Sequence, residues 1–308
     1  MTGLAWGLRL AVLVYALVVV GAQAPPSRPS RVISLIPAVT EMLFAIGAGD
    51  QVVGVSSFDT YPPEAAKKTR VGALLNPDFE RILSLKPDLV VVYVSQTDLT
   101  ARLQRVGVPT FVYRHAGLAD VGTTLSSLGN RVGRTTESAR LAREVQTSLE
   151  EVRRSVAGRP RPRVALIFGR DAGTLRNMFV SAGVGFLHDL VETAGGQNAF
   201  ADVKRESMQV SSEAMLARAP EVIIETHQSS WDTSATAREQ AVWRTLAALP
   251  AVRMNRVYMV ADDRLFIPGP RVVDAARILA GIIHPGVEQR SSRQTNSTGT
   301  LLGIRPLS

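Results

Sequence analysis

Two glutamates, Glu80 and Glu213, begin a twelve-residue pattern that occurs twice in the chain, 133 positions apart. In both copies, at 80–91 and 213–224, the glutamate is followed by an apolar pair, a basic residue, a proline, an acidic residue and an aliphatic run. The repetition predicts two similar lobes with a carboxylate at the same place on each. These carboxylates could form a two-sided docking surface, or each could only stabilise a helix N-terminus, by about 0.3–1 kcal/mol.

A second group of side chains follows the aliphatic runs that predict strands. Ligands of parallel α/β sheets bind beyond the carboxyl ends of the strands. Aromatic rings there would supply flat contact area for a large planar ligand, while aspartate and arginine would fix its polar rim. A single aromatic residue after a strand commonly packs into the core, so it is the number of such positions that favours a ligand site. The candidate ligand-binding residues are Phe58, Tyr61, Tyr93, Phe168, Arg170, Asp263, Arg264 and Phe266.

Catalytic and metal-binding patterns are missing from the sequence. The four histidines are far apart and none belongs to an HxxxH or HExxH motif, and no GxSxG elbow, SxxK pair or P-loop occurs. Gly183 and Gly185 precede a predicted helix but lack the third glycine of a dinucleotide fingerprint, so turn formation explains them better. We therefore expect no enzyme, no catalytic residue, no resident metal and no cofactor. The histidines are His115, His188, His227 and His284.

The elements that would position these residues alternate between aliphatic runs and helical patterns, which predicts βα units on parallel sheets. Residues 136–157 contain no Gly or Pro, and apolar residues recur there every three or four positions. This pattern predicts one long amphipathic helix between the two repeat copies. The predicted fold class is α/β, with two Rossmann-like lobes of parallel strands, one long α-helix joining them and a ligand cleft between them.

The predicted domain boundaries follow from these elements. Arg9, a short apolar run and Ala22-Gln23-Ala24 predict a signal peptide at 1–24, with a membrane anchor as the rival interpretation. An N-terminal lobe at 31–133, a connecting helix at 134–158 and a C-terminal lobe at 160–285 follow. The polar segment 286–308 predicts a disordered tail.

The amino-acid composition excludes further classes of function. The formal charge is +8, but basic residues are interspersed with acids instead of forming the stripe that nucleic-acid binding needs, so we expect no nucleic acid. The chain has no cysteine, which excludes disulfides and a lipid-attachment thiol. We expect a soluble, monomeric protein in the periplasm.

Several segments together resemble a known family, the periplasmic metal-chelate receptors with a helical backbone, which are substrate-binding subunits of ABC importers. The resemblance covers about 31–285 and is nearest to the cobalamin-binding branch. In that family the surface glutamate of each lobe docks on the membrane permease, which implies this role for Glu80 and Glu213. The resemblance also implies ligand contacts at Phe58, Tyr93 and Asp263, together with Phe168. It rests on residues 31–41, 54–58, 61–63, 80–90, 194–198, 210–213 and 269–271.

The resemblance implies an ABC permease and its ATPase as partners and a small-molecule metal chelate, first of all a corrinoid, as ligand. Leu74, Ser207 and Ile267 stand where the cobalamin receptor would have two tryptophans and an arginine. These departures leave haem or a ferric siderophore open as the ligand. A secreted chelatase or other enzyme on the same scaffold is the alternative of another class.

Overall fold

The computed structural model describes residues 28–227 and 233–286. The N-terminal lobe contains a fully parallel sheet with the strand order β3-β2-β1-β4-β5. Its central strands are buried on both faces, as their near-continuous aliphatic sequences predict. The strands are β1 (Val32–Ser34), β2 (Val52–Val55), β3 (Thr69–Arg70), β4 (Leu89–Tyr93) and β5 (Thr110–Tyr113), and the connecting helices are α1 (Pro37–Ala45), α2 (Pro63–Ala66), α3 (Phe79–Ser84) and α4 (Thr97–Arg105).

Two long helices follow this sheet. Helix α5 (Ala119–Val132) packs against helix α6 (Thr135–Val156), and Gly133 forms the turn between them with a left-handed φ of 70°. Helix α6 is the long helix predicted at 136–157, and its buried positions Val145, Leu149 and Val152 lie on one face. Helix α5 was not predicted, because it contains two glycines and four Ser or Thr residues, which have low helix propensity.

The C-terminal lobe contains a second sheet with the order β11-β10-β6-β7-β9. Its central strands β11, β10 and β6 are parallel as predicted, while β7 and β9 add antiparallel pairs at one side and β8 pairs parallel with β6. The strands are β6 (Arg163–Gly169), β7 (Met178–Ser181), β8 (Gln197–Asn198), β9 (Ser207–Val210), β10 (Val222–His227) and β11 (Val257–Ala261), and the helices are α7 (Phe186–Thr193), α8 (Ser212–Arg218), α9 (Thr233–Ala241), α10 (Pro250–Arg253) and α11 (Val272–Ile283). Short 3₁₀ helices occur at Gly49–Gln51, Val242–Leu246 and Asp263–Leu265.

The hydrophobic core joins the two lobes. One cluster runs from the N-terminal sheet through α6 and α11 to one face of the C-terminal sheet, and a second covers the other face of that sheet around Trp243. The alternation of β6 divides its side chains between the two clusters, with Leu166 in the first and Ile167 in the second. The two lobes therefore share one hydrophobic core, to which helices α6 and α11 contribute.

Two predicted segments fall outside the described residues. The signal peptide at 1–24 lies before them, and the tail at 286–308 lies beyond them except for Gly286. Within the described ranges, no helix has both the length and the apolar character that crossing a bilayer requires.

Candidate functional site

The carboxyl ends of the two sheets face each other, because the segments that follow the strands make the contacts between the lobes. Tyr61 follows β2, and its ring lies 4.1 Å from the guanidinium carbon of Arg271, which follows β11. His115 follows β5 and packs edge-on against Phe186 at the start of α7, with ring centroids 5.4 Å apart. These contacts between the lobes therefore lie beyond the strand ends, the region where ligands of α/β sheets bind.

Arg271 joins the two lobes through its side-chain hydrogen bonds. Its Nε and Nη2 donate to Glu41 of α1 at 3.0 and 2.5 Å. Its Nη1 and Nη2 donate to Asp263 at 3.2 and 2.9 Å. Burial opposes the charge of Arg271, but the hydrogen bonds to Glu41 and Asp263 outweigh that cost and raise the pKa of the guanidinium. One arginine therefore ties a carboxylate of each lobe at the same point, and we call Arg271, Glu41, Asp263 and Tyr61 the Arg271 cluster.

The glycine at position 269 gives the Glu41 carboxylate the space that it occupies in this contact. A Cβ atom at Gly269 would lie 2.9 Å from Glu41 Oε2, so a larger residue would have to displace the carboxylate. Glu41 is 3% exposed and Asp263 retains 42% of its side-chain exposure. The buried partner in the N-terminal lobe is therefore the more firmly held of the two.

A second contact between the lobes surrounds His115. The backbone N–H of Leu118 donates to Asp189 Oδ2 of α7 at 2.8 Å, beside the contact of His115 with Phe186. Burial lowers the pKa of His115, and the charges of Asp120, Glu206 and Asp189 oppose that shift. The imidazole is therefore neutral near pH 7 and sits at the lobe interface as an aromatic group.

The N-terminal wall of the cleft carries three of the predicted ligand residues. Phe58 is 68% exposed and Tyr61 is 44% exposed, which are high fractions for aromatic rings. Tyr93 at the end of β4 is half-buried beside Tyr113, with ring centroids 6.0 Å apart. Phe58 has an exposed ring, Tyr61 is partly covered by the guanidinium of Arg271, and Tyr93 presents part of its ring.

Gln96 stabilises this part of the N-terminal lobe, although the sequence did not predict it as a site residue. Its buried side-chain carbonyl accepts from the backbone N–H of Tyr93, and its amide group donates to the backbone carbonyl of Leu74, both at 2.8 Å. The loop that contains Leu74 is thereby fixed to the carboxyl end of β4. An unpaired buried amide would cost about 1–3 kcal/mol, so Gln96 specifies this loop position.

The C-terminal wall carries Phe168, Asp263, Arg264 and Phe266. Phe168 and Phe266 are half-buried against the shared core, and Phe168 lies 6.4 Å from the exposed ring of Phe179 between centroids. Arg264 is held inside its own lobe by Asp262, at 2.8 Å from Nε and 2.5 Å from Nη2. These residues lie on the loop after β11 or at the end of β6, as predicted.

Arg170 differs from the other predicted ligand residues, because the structure does not bring it to the cleft surface. Its side chain is 2% exposed and lies between Glu225 of β10 and Glu239 of α9, with N to O distances of 2.9 and 2.8 Å. Burial opposes the ionised form of Glu239, but hydrogen bonds from Gly173 and Arg170 lower its pKa. The indole of Trp243 also donates to Glu225 at 2.9 Å. Arg170 thus links β6, β10 and α9 inside the lobe.

The two repeated glutamates occupy matching surface positions. Glu80 lies in the first turn of α3 and Glu213 in the first turn of α8, and both are exposed. Other residues cap these helices: Asp78 accepts from the backbone N–H of Arg81, and Ser211 accepts from that of Ala214. A hydrogen bond with Ser211 lowers the pKa of Glu213. Because the caps are supplied by neighbours, neither glutamate is needed as the N-cap.

The described residues, 28–227 and 233–286, contain no group of three His, Cys, Asp or Glu side chains arranged to hold a metal ion. Of the four histidines, His227 lies 3.4 Å from Glu225 and His284 ends α11, where burial lowers its pKa. The cluster residues that sequence reasoning did not select are Glu41 and Arg271. The weak signal for both was their occurrence in the segments 31–41 and 269–271 that carry the family resemblance.

A family model described as a periplasmic binding protein matches residues 32–263 of this chain. The vitamin B12-binding protein of Yersinia pestis (strain Pestoides F) is 30% identical over 272 residues, covering 87% of this chain and 90% of that protein. An uncharacterised ABC transporter substrate-binding lipoprotein of Bacillus subtilis, YvrC, is 26% identical over 262 residues, covering 83% and 81% of the two chains.

Solved structures show the same architecture. The periplasmic vitamin B12 binding protein BtuF of Vibrio cholerae superposes with a TM-score of 0.70 at 26% identity, over 83% of this chain and 97% of that one. A periplasmic heme binding protein of Pseudomonas aeruginosa gives a TM-score of 0.73 at 22% identity, over 84% and 94% of the chains. The second similarity concerns the fold alone.

Proposed function

This chain belongs to the periplasmic binding protein family, and we propose that it captures a corrinoid in the cleft between its lobes without altering it chemically. It is the substrate-binding protein of an ABC importer. The observation that carries the ligand proposal is the pair of facing strand ends, with exposed rings of Phe58 and Tyr61 on one side and Phe168, Phe266 and Asp263 on the other. Flat rings with a charged rim suit a large planar metal chelate.

The relatives named vitamin B12-binding proteins support a corrinoid over other chelates. Haem or a ferric siderophore is the second candidate ligand, favoured by the similarity to heme-binding structures and by Leu74, Ser207 and Ile267. To separate them, the protein is mixed with cobalamin, haem or a ferric siderophore and passed over a size-exclusion column. Co-elution of the corrinoid absorbance with the protein supports the proposal, and co-elution of haem alone would replace corrinoid by haem.

Capture without chemistry distinguishes this proposal from a chelatase on the same scaffold. The bound chelate, incubated with the protein for a day and then released by denaturation, should return with an unchanged absorbance spectrum and mass. Loss of the metal or alteration of the macrocycle would support an enzyme. No resident cofactor is required by this proposal, because the chelate is the cargo.

We place the protein in the periplasm, exported by a signal peptide, where it delivers its ligand as a monomer to a membrane permease and its ATPase. Glu80 and Glu213 are proposed as the contacts with basic residues of the permease, one on each lobe. Their exposure and the separate capping of both helices support this role. Charges at an interface rim act mainly on the association rate and its salt dependence.

Charge reversal tests the docking role. Glu80→Arg with Glu213→Arg should abolish stimulation of the importer's ATPase by the loaded protein, while chelate affinity stays unchanged. Glu150→Arg with Glu151→Arg, two exposed positions of α6, makes the same change in net charge and should leave stimulation intact. Equal stimulation by both double variants would assign the glutamates only a local role at their helices.

A further inference from the structure

We propose that Arg271 is a positioning residue that holds Tyr61 and Asp263 in their cleft-facing positions and fixes the angle between the lobes. The presence of a ligand in the cleft rests on the proposed function, whereas the contact that Arg271 makes between the lobes does not depend on it. The guanidinium contacts Glu41 and Tyr61 of the N-terminal lobe and Asp263 of the C-terminal lobe at the same time.

Arg271 makes a fixed bond to Glu41 and a bond to Asp263 that a ligand can replace. Arg271 binds Glu41 through two donors, and Glu41 is almost fully buried, so losing this partner would leave an uncompensated charge inside the protein. Asp263 is bound at 3.2 and 2.9 Å and is 42% exposed, so water or a ligand can reach it. A ligand can therefore donate hydrogen bonds to Asp263 while the bond between Arg271 and Glu41 persists.

The net charge of the Arg271 cluster also favours ligand contact at Asp263. The Arg271 cluster contains one guanidinium and two carboxylates, so it carries one excess negative charge when both acids are ionised. A hydrogen-bond donor on the ligand, such as an amide, would stabilise the Asp263 carboxylate and leave Arg271 to Glu41. The ring of Tyr61, which lies against the guanidinium, would shift with any movement of Arg271.

The rest of the fold allows such movement without unfolding. Helices α6 and α11 keep the lobes packed, and the contact of His115 with Phe186 lies after a different strand. Removing Arg271 therefore leaves a folded protein whose lobes have lost one defined contact. The angle between them is the quantity that should change.

The absence of cysteine from the chain makes this angle measurable. Gln104 on α4 and Lys204 before β9 are exposed, one on each lobe, and can be replaced together by cysteine for spin labelling. Pulsed electron paramagnetic resonance then reports the distance between the lobes. We expect a narrow distance distribution in the otherwise native chain and a broader one in Arg271→Gln without ligand.

Further variants make the result specific. Arg271→Lys keeps the charge but cannot pair with both carboxylates through a planar fork, so it should restore part of the narrow distribution. Asp263→Asn keeps the bond of Arg271 to Glu41 and should leave the ligand-free distribution narrow. Arg140→Gln breaks an exposed ion pair with Glu144 within α6 and serves as the control, with no change expected. Glu41→Gln replaces Arg271→Gln if the latter fails to fold.

Affinity for cobalamin supplies the second readout. Loss of the positioned Tyr61 and Asp263 should weaken binding about 10- to 100-fold in Arg271→Gln, as expected for charge-assisted hydrogen bonds. A distribution and an affinity both equal to those of the native chain would overturn the proposal. If the native chain binds no chelate, the proposed function fails, and an unchanged ligand-free distribution in Arg271→Gln would still overturn the tie between the lobes.

Discussion

Because Arg170 forms two ion pairs inside the C-terminal lobe, we predict that its replacement lowers the free energy of unfolding. Replacement of Arg170 by methionine keeps the side-chain length but removes the charge, leaving Glu225 at 1% exposure and Glu239 at 15% exposure without their cationic partner. Breaking a buried ion pair by removing one partner costs about 3–5 kcal/mol, because the other charge stays buried. Glu225 keeps the hydrogen bond from Trp243, and Glu239 keeps that from Gly173.

A loss of about 3–5 kcal/mol in the free energy of unfolding corresponds to a decrease of about 6–10 °C in Tm for a protein of this size. Differential scanning calorimetry and urea denaturation of the purified protein measure both quantities. Arg140→Gln is again the matched control, since its ion pair with Glu144 is exposed and should contribute less than about 1 kcal/mol. Adding Glu225→Gln to Arg170→Met should recover part of the lost stability, because it removes one of the uncompensated charges.

The same variant distinguishes a structural Arg170 from a ligand-binding one. Arg170→Met should lower Tm, and the Tm increase produced by saturating cobalamin should remain. A Tm within the range of the Arg140→Gln control, together with a lost response to the chelate, would contradict the structural role and make Arg170 a ligand-binding residue.

Two more predictions concern the lobe interface and the N-terminal wall. Gln96→Leu should weaken chelate binding by about tenfold. It leaves the backbone N–H of Tyr93 and the backbone carbonyl of Leu74 without their partner, at a cost of about 1–3 kcal/mol. Calorimetry measures the affinity, and a native value would show that the loop needs no anchor. His115→Phe should reduce the loss of stability on acidification. The unfolded chain protonates this histidine near pH 6.5 and the folded one only at lower pH, so native stability falls as pH drops below 6.5, by at most about 1.4 kcal/mol per pH unit for one proton. Urea denaturation at pH 5 and 7.5 compares the two chains, and parallel pH dependences would contradict the assignment.

The fold was largely predictable because its signals are local. The aliphatic run at β4 and the spacing of Val145, Leu149 and Val152 in α6 each specify one kind of element without reference to the rest of the chain. Helix α5 was missed because its propensity is low and its stability comes from packing against α6. The antiparallel β7 and β9 depend on pairings between strands that periodicity alone does not identify.

The site was less predictable for a related reason. Strand-end rings such as Phe58 could be located from strand positions, and Phe58 is exposed after β2, while its contact with a ligand stays a prediction. The ion pair of Glu41 with Arg271 joins residues 230 positions apart, so no local spacing reveals it. Arg170 and Arg264 both follow strands, yet one points into the lobe and the other lies at the loop surface. Strand ends fix the position of a residue but not the direction of its side chain.

Corrinoid binding in the cleft is tested most directly by calorimetric titration of the purified protein with cobalamin, in parallel with haem and a ferric siderophore. We predict saturable binding of cobalamin at one molecule per chain, stronger than that of either competitor, and weakened in Phe58→Ala. Heats indistinguishable from dilution for cobalamin, with or without binding of the other chelates, would contradict it.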